Sequence, residues 1–216
     1  MKKKAVVVVF VMLGLVSIIL GTVFTVYNSQ SDKYTLENIY NAYMKADEMV
    51  VATVNDVNIM NKELSLIQYS YGTSKPIDRA IEQQALNQLA EKDGFSLSQS
   101  EINKEVDYIT ERYKSLNLPD NAENRAFYNA LVKEHLAMTT SIRYQYSVQK
   151  QIMHQNFYCD NQDINEKYEK YKTLYQEWED GGKENTVLYD EIWSLREEIT
   201  QEYIDHRISQ FKIEKR

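Results

Sequence analysis

A chain of 216 residues with a formal net charge of −7 and one cysteine has room for one domain or two. Its acidity excludes a nucleic-acid binder, which needs a basic footprint, and a domain lying flat on anionic lipid. Lone Cys159 excludes an internal disulfide framework and fits an exported domain or a reducing compartment equally well.

The chain opens with Lys2, Lys3 and Lys4, then residues 5–27, "AVVVVFVMLGLVSIILGTVFTVY", without a charge. As a helix this run reaches roughly 35 Å, enough to cross the ~30 Å hydrocarbon core of a bilayer. It is longer than the apolar core of a cleaved signal peptide, and Ser29-Gln30-Ser31 is a weak substitute for an Ala-x-Ala cut site, so an uncleaved anchor is favoured. The lysines before the run and the absence of another cation until Lys33 place the N-terminus in the cytoplasm and the remainder outside it. Without the three leading lysines the net charge falls from −7 to −10, whose ordinary role is solubility.

Thr35 can cap a short helix carrying Leu36, Ile39, Tyr40 and Tyr43. Residues 50–59 alternate, with Val50, Ala52 and Val54 on one side, Val51 and Thr53 on the other, and Asn55-Asp56 as turn residues. Asn61 is suited to cap a helix with Leu64, Ile67 and Tyr71. Gly72 to Pro76 break the pattern, and a helix over 76–92 follows with Ile77, Ala80, Ile81, Ala85, Leu89 and Ala90. Gly94 is placed as its left-handed C-terminal cap. Ser98 and Glu101 form a capping box for a helix striped by Ile102, Val106, Ile109, Tyr113 and Leu116.

Pro119 ends that segment. A long helix over roughly 121–155 carries Phe127, Leu131, Met138, Ile142, Tyr146 and Ile152. Ile164, Tyr168, Tyr171, Tyr175 and Trp178 then step by four and three, Gly181-Gly182 break the stripe, and Leu188, Ile192, Leu195, Ile199, Ile204, Ile208 and Phe211 resume it. Two stripes joined by a short glycine loop predict an antiparallel helical hairpin packed on the preceding helices.

Chemistry-bearing patterns are few. His135, His154 and His206 lack partners at metal-ligand spacing, Glu134-His135 lacks the second histidine of a zinc-protease helix, and Cys159-Asp160 has no base nearby in sequence. There is no phosphate-binding glycine loop and no Gly-x-Ser-x-Gly elbow. The reading is a non-enzyme with no metal or cofactor. Seventeen tyrosines admit two roles. They can fill helix–helix seams with the hydroxyl at the wet edge, or line a groove that touches peptide ligands. Tyr69, Tyr71, Tyr113, Phe127, Met138, Tyr144 and Tyr146 are the candidate peptide contacts.

Residues 50–116 run strand, turn, capped helix, second helix ending at Gly94, and capping-box restart. This resembles the N-terminal chaperone domain of SurA and of PrsA-type foldases, which opens "A-x-V-N-G-x-x-I-x-x-x-E". Here "VATVNDVNIMNKEL" matches at Ala52, Val54, Asn55, Ile59 and Glu63, and "LAEKDGFSLSQSEINKEV" is similar to the family's helix-end and restart. The resemblance covers about residues 50–155. Asp56 stands where the family has glycine, and residues 156–216 are too few and too helical for the family's parvulin isomerase domain, so isomerase activity is not implied.

The expected organisation is mainly α: a cytoplasmic tail (1–4), a transmembrane helix (5–27), a linker with a short helix (28–49), a SurA-N-like multi-helix domain with one short β hairpin (50–155) and a C-terminal helical hairpin (156–216). The resemblance implies a membrane-anchored, extracytoplasmic chaperone-like protein that binds unfolded or exported polypeptides. The alternative is a dedicated module for one envelope protein partner, and a homodimer is left open.

Overall fold

The computed structural model describes residues 35–154 and 157–216. Among these the chain order is α1 (Leu36–Lys45), β1 (Val50–Val54), β2 (Val57–Met60), α2 (Asn61–Tyr71), α3 (Pro76–Lys92), α4 (Gln99–Lys114), α5 (Ala122–His154), α6 (Gln162–Asp180), α7 (Thr186–Ile208) and β3 (Ile213–Lys215).

Local chemistry sets most boundaries. The Thr35 hydroxyl accepts the Asn38 N–H at 3.2 Å and starts α1. Asn55 and Asp56 both take positive φ, 47° and 65°, as a two-residue hairpin turn of the primed type requires. Asp56 thus takes a left-handed conformation of the kind glycine adopts freely and Asp tolerates. Gly94, at φ 69°, closes α3, with the Phe95 N–H returning to the Ala90 carbonyl at 2.8 Å. The Ser98 hydroxyl accepts from the Glu101 N–H at 3.3 Å while the Ser98 N–H donates to the Glu101 carboxylate at 2.9 Å, a reciprocal box at the start of α4. Asn161 and Asn185 cap α6 and α7 by accepting from the N–H groups of Ile164 and Leu188. Asn61 is not a cap. It is the first helical residue, and the Met60 N–H is instead satisfied by the Glu63 carboxylate at 3.1 Å.

Three packed clusters hold the elements together. Phe127 on α5 centres the first, meeting Tyr40 and Tyr43 of α1 at ring distances of 5.2 Å and Tyr113 of α4 at 6.2 Å. The second lies beneath the sheet, where Ala52, Val54 and Ile59 meet Ile67 of α2 and Ala80, Ile81 and Ala85 of α3. In the third, Leu86 and Leu89 of α3 and Tyr144, Val148 and Ile152 of α5 face the α6–α7 hairpin through Ile199 and Ile204. The α6–α7 hairpin thus packs on the body through α7, with α6 laid against α7.

The structure corrects the expected fold in two respects. First, the sheet has three strands in the order β2-β1-β3. The last helix, read through Phe211, stops at Ile208, and the chain returns as β3, antiparallel to β1, with Ile213 opposite Val54. Second, the expected transmembrane helix is not part of the described fold. No described helix is long and apolar enough to cross a membrane, and residues 5–27 lie outside the described residues. Even α5, at 33 residues the longest, carries Arg125, Lys133, Glu134, Arg143 and Lys150 along its length, and each such charge is unfavourable in hydrocarbon. The single-pass placement, with a cytoplasmic N-terminus, an extracytoplasmic domain and membrane attachment through residues 5–27, is accordingly withdrawn.

Candidate functional site

The seven candidate peptide contacts do not form one groove. Tyr69 and Phe127 are buried in the first cluster, and Tyr113 packs against it with its hydroxyl donating to the Asn124 carbonyl at 3.0 Å. Tyr71 packs against the cluster beneath the sheet and shares a 3.2 Å hydrogen bond with Ser141. Burial pushes its phenol up to about 12. Tyr144, 2% exposed, donates to the Asp93 carboxylate at 2.6 Å. Its phenol is raised first by burial and then by that carboxylate. These five rings fill seams.

Met138 and Tyr146 belong to a different surface. With Ile142 between them they step by four along α5, so they share one ridge. Met138 is half-buried, Ile142 is 48% exposed and Tyr146 is 64% exposed. The opposite side of the same helix, Tyr144, Val148 and Ile152, is buried against the hairpin. Beside the ridge runs a shallow cleft of about 530 Å³ between α5 and α7. Gln145, Tyr146 and Gln149 form one wall; Glu197, Glu198, Thr200, Gln201 and Ile204 form the other. Its chemistry is that of an amphipathic surface. An aromatic and a branched aliphatic side chain offer apolar area, and the glutamine amides offer both donors and acceptors to an extended backbone.

A second feature was missed by the sequence reading. Glu134 projects from α5 into the space between α1, α2 and α3 and is 8% exposed. Both of its carboxylate oxygens accept from the Gln83 amide at 3.0 Å. Removal from water raises its carboxyl to about 8. The signal was available in the sequence: Ala130, Leu131, Glu134 and Ala137 fall at helical spacing on the apolar side of α5, where a carboxylate is out of place.

Arg196 of α7 was also unremarked. It is 6% exposed, lies 3.4 Å over the Trp193 ring, and its Nη1 meets the Met153 sulfur at 3.0 Å, while Nε and Nη2 have no partner. Burial lowers its pKa.

The described histidine side chains have single carboxylate neighbours. His135 Nε2 is 2.7 Å from Glu105, and His206 Nε2 is 2.9 Å from Asp160. Cys159 is a buried free thiol beside Asn165. Among the described residues no group of three His, Cys, Asp or Glu side chains could hold a metal ion. Against protein-family models, characterised proteins and solved structures, the chain finds no match.

Proposed function

We propose that this protein is a chaperone-like binder of non-native polypeptide segments, acting by contact alone and without prolyl-isomerase chemistry. The observation that carries the reading is the Met138–Ile142–Tyr146 ridge, half-buried at Met138 and exposed at Ile142 and Tyr146, beside an α5–α7 cleft walled mainly by glutamine, glutamate and threonine. Apolar side chains that follow one another along a single ridge make a contiguous patch, and contiguous exposed apolar surface is what marks a contact site. The cleft is shallow and wet at its rim, which suits transient holding of varied sequences better than selection of one. The order of strand, turn and capped helices in residues 50–116, with its likeness to the SurA-type chaperone domain, supports the same reading.

A photo-crosslinking residue at position 142 tests it. Crosslinks to a chemically unfolded client that disappear when the client is folded are expected. Crosslinks to one folded partner at fixed stoichiometry, with none to unfolded clients, would instead support a dedicated interaction module.

A further inference from the structure

The space around Glu134 has the properties of a built binding site that the ridge and its function do not use. It is a partly open cavity of about 360 Å³ lined by α1, the end of β2, the start of α2, α3 and α5. Tyr43, Ile59, Leu66, Ala80, Ala130 and Ala137 give it apolar walls. Three acceptors line it. One is the Glu134 carboxylate. The others are Gln83 Oε1 and Asn87 Oδ1, one helical turn apart on α3, and neither has a hydrogen-bond partner. Gln83 is 5% exposed, so its oxygen is withheld from bulk water as well. Buried polar atoms normally find partners, and acceptors left without one in the same cavity as a carboxylate call for a donor from outside.

The charges at the rim do not supply it. Lys62 is engaged by Glu48 at 3.6 Å and lies 4.8 Å from the Tyr43 ring centre, and Lys133 is engaged by Glu63 at 3.4 Å. Among the described residues Glu134 has no cation within ion-pair distance. The groups acting on it are the Gln83 amide, Glu63 of α2, Lys133 of its own helix and the Tyr71 phenol of α2.

We infer that this cavity is a binding site for an alkylammonium group: a primary amine, protonated, on an aliphatic stem. Three N–H donors meet three acceptors, the positive charge meets Glu134, and the stem lies against the alanine and leucine walls. The volume exceeds that of a lone small amine and leaves room for atoms flanking the stem, as on a lysine side chain of a polypeptide. Occupation has a defined proton balance. Where Glu134 is protonated, the arriving cation forms its ion pair with the carboxylate, and the displaced proton goes to solvent. No covalent bond changes. The inference stands apart from the ridge, since it uses none of the same residues.

The test is calorimetric titration of the full-length protein with two probes, butylammonium chloride and the peptide acetyl-Leu-Lys-Leu-amide, with the norleucine peptide as control. Binding of either amine at pH 7.5, with release of a proton read from buffers of different ionisation enthalpy, is expected. Glu134→Gln, nearly isosteric and neutral, should weaken binding at least tenfold and abolish the proton release. Asn87→Leu should weaken it without abolishing the release. A peptide that binds tenfold tighter than butylammonium identifies a lysine side chain as the source; equal affinities identify a free amine. The inference is overturned if neither amine binds, if the norleucine peptide binds as well as the lysine peptide, or if E134Q, folded by circular dichroism, binds like wild type.

Discussion

Asn55 and Lys212 hold each other across 157 positions of sequence. The Asn55 N–H donates to the Lys212 carbonyl at 2.9 Å, and the Lys212 N–H donates to Asn55 Oδ1 at 2.9 Å. The same Asn55 amide donates to Gln88 Oε1 at 2.9 Å, and the Gln88 amide returns to the Val54 carbonyl. One turn residue thus joins the β1–β2 hairpin, α3 and the returning C-terminus. Asn55→Ala loses the acceptor and places a Cβ-bearing residue at φ 47° without the local side-chain bonding that eases it. A loss of about 1–2 kcal/mol is expected. Amide exchange at Lys212 and Ile213 should accelerate at least tenfold more than at core amides of α5. Unchanged exchange there would show that β3 is held by its ladder alone.

Arg207 and Asp93 fasten the hairpin to the body. Arg207 Nη1 and Nη2 reach the two Asp93 oxygens at 2.5 and 2.8 Å, and Tyr144 adds its hydroxyl to the same carboxylate. The guanidinium holds the Asp93 carboxyl below its ordinary range. A depressed carboxylate contributes stability above its unfolded pKa and loses it as pH falls through the folded one. Asp93→Asn should therefore lower the urea midpoint at pH 6 by the equivalent of about 1–2 kcal/mol, the pair being partly solvated. The gap from wild type should begin to narrow as pH falls below about 4, toward the depressed folded-state pKa. A gap constant from pH 6 to pH 3 would mean that packing, not charge, is at stake.

Glu134 works with the opposite sign. Its folded carboxyl titrates near 8, above the 4.5 of a free side chain, so the folded state holds a proton that the unfolded chain has released. Stability from this group is full below about pH 4.5 and falls as pH rises to about 8. Glu134→Gln removes the penalty. The variant should gain on wild type steadily from pH 5 to pH 8, by on the order of 3 kcal/mol at the upper end. Parallel melting curves across that range would contradict the buried, protonated assignment.

Arg196 is a buried cation whose Nε and Nη2 lack partners. Replacing a buried cation that has no carboxylate partner and only ring and sulfur contacts by an apolar side chain of similar length is often stabilising when the hole is filled. Arg196→Met should raise the denaturation midpoint by about 1–2 kcal/mol, because methionine can follow the stem's path beside Trp193 and Met153. A destabilised Met variant would show that the ring and sulfur contacts outweigh desolvation.

Much of the helical skeleton was legible in the sequence, because its signals are local. Thr35, Ser98-Glu101, Asn55-Asp56, Gly94 and the Gly181-Gly182 break each act on neighbours within a few residues. The β3 strand was not legible. "IEK" is exposed at all three positions and shows no alternation, and its pairing is fixed by residues far upstream. Nor could periodicity sort the rings of α5. Tyr144 and Tyr146 are two positions apart, yet one is buried under the hairpin and the other stands in water. That difference comes from where α7 docks. Of the candidate contacts, Tyr146 is the one that stands well exposed, and Ile142, one turn before it, was not among them.

The most direct test of polypeptide holding is aggregation of a chemically unfolded client, followed by light scattering, with the full-length protein at near-stoichiometric amounts. Wild type is predicted to slow aggregation of several unrelated clients, and Ile142→Glu/Tyr146→Glu to lose most of that protection at unchanged thermal stability. No protection by wild type, or equal protection by the double variant, would contradict the account.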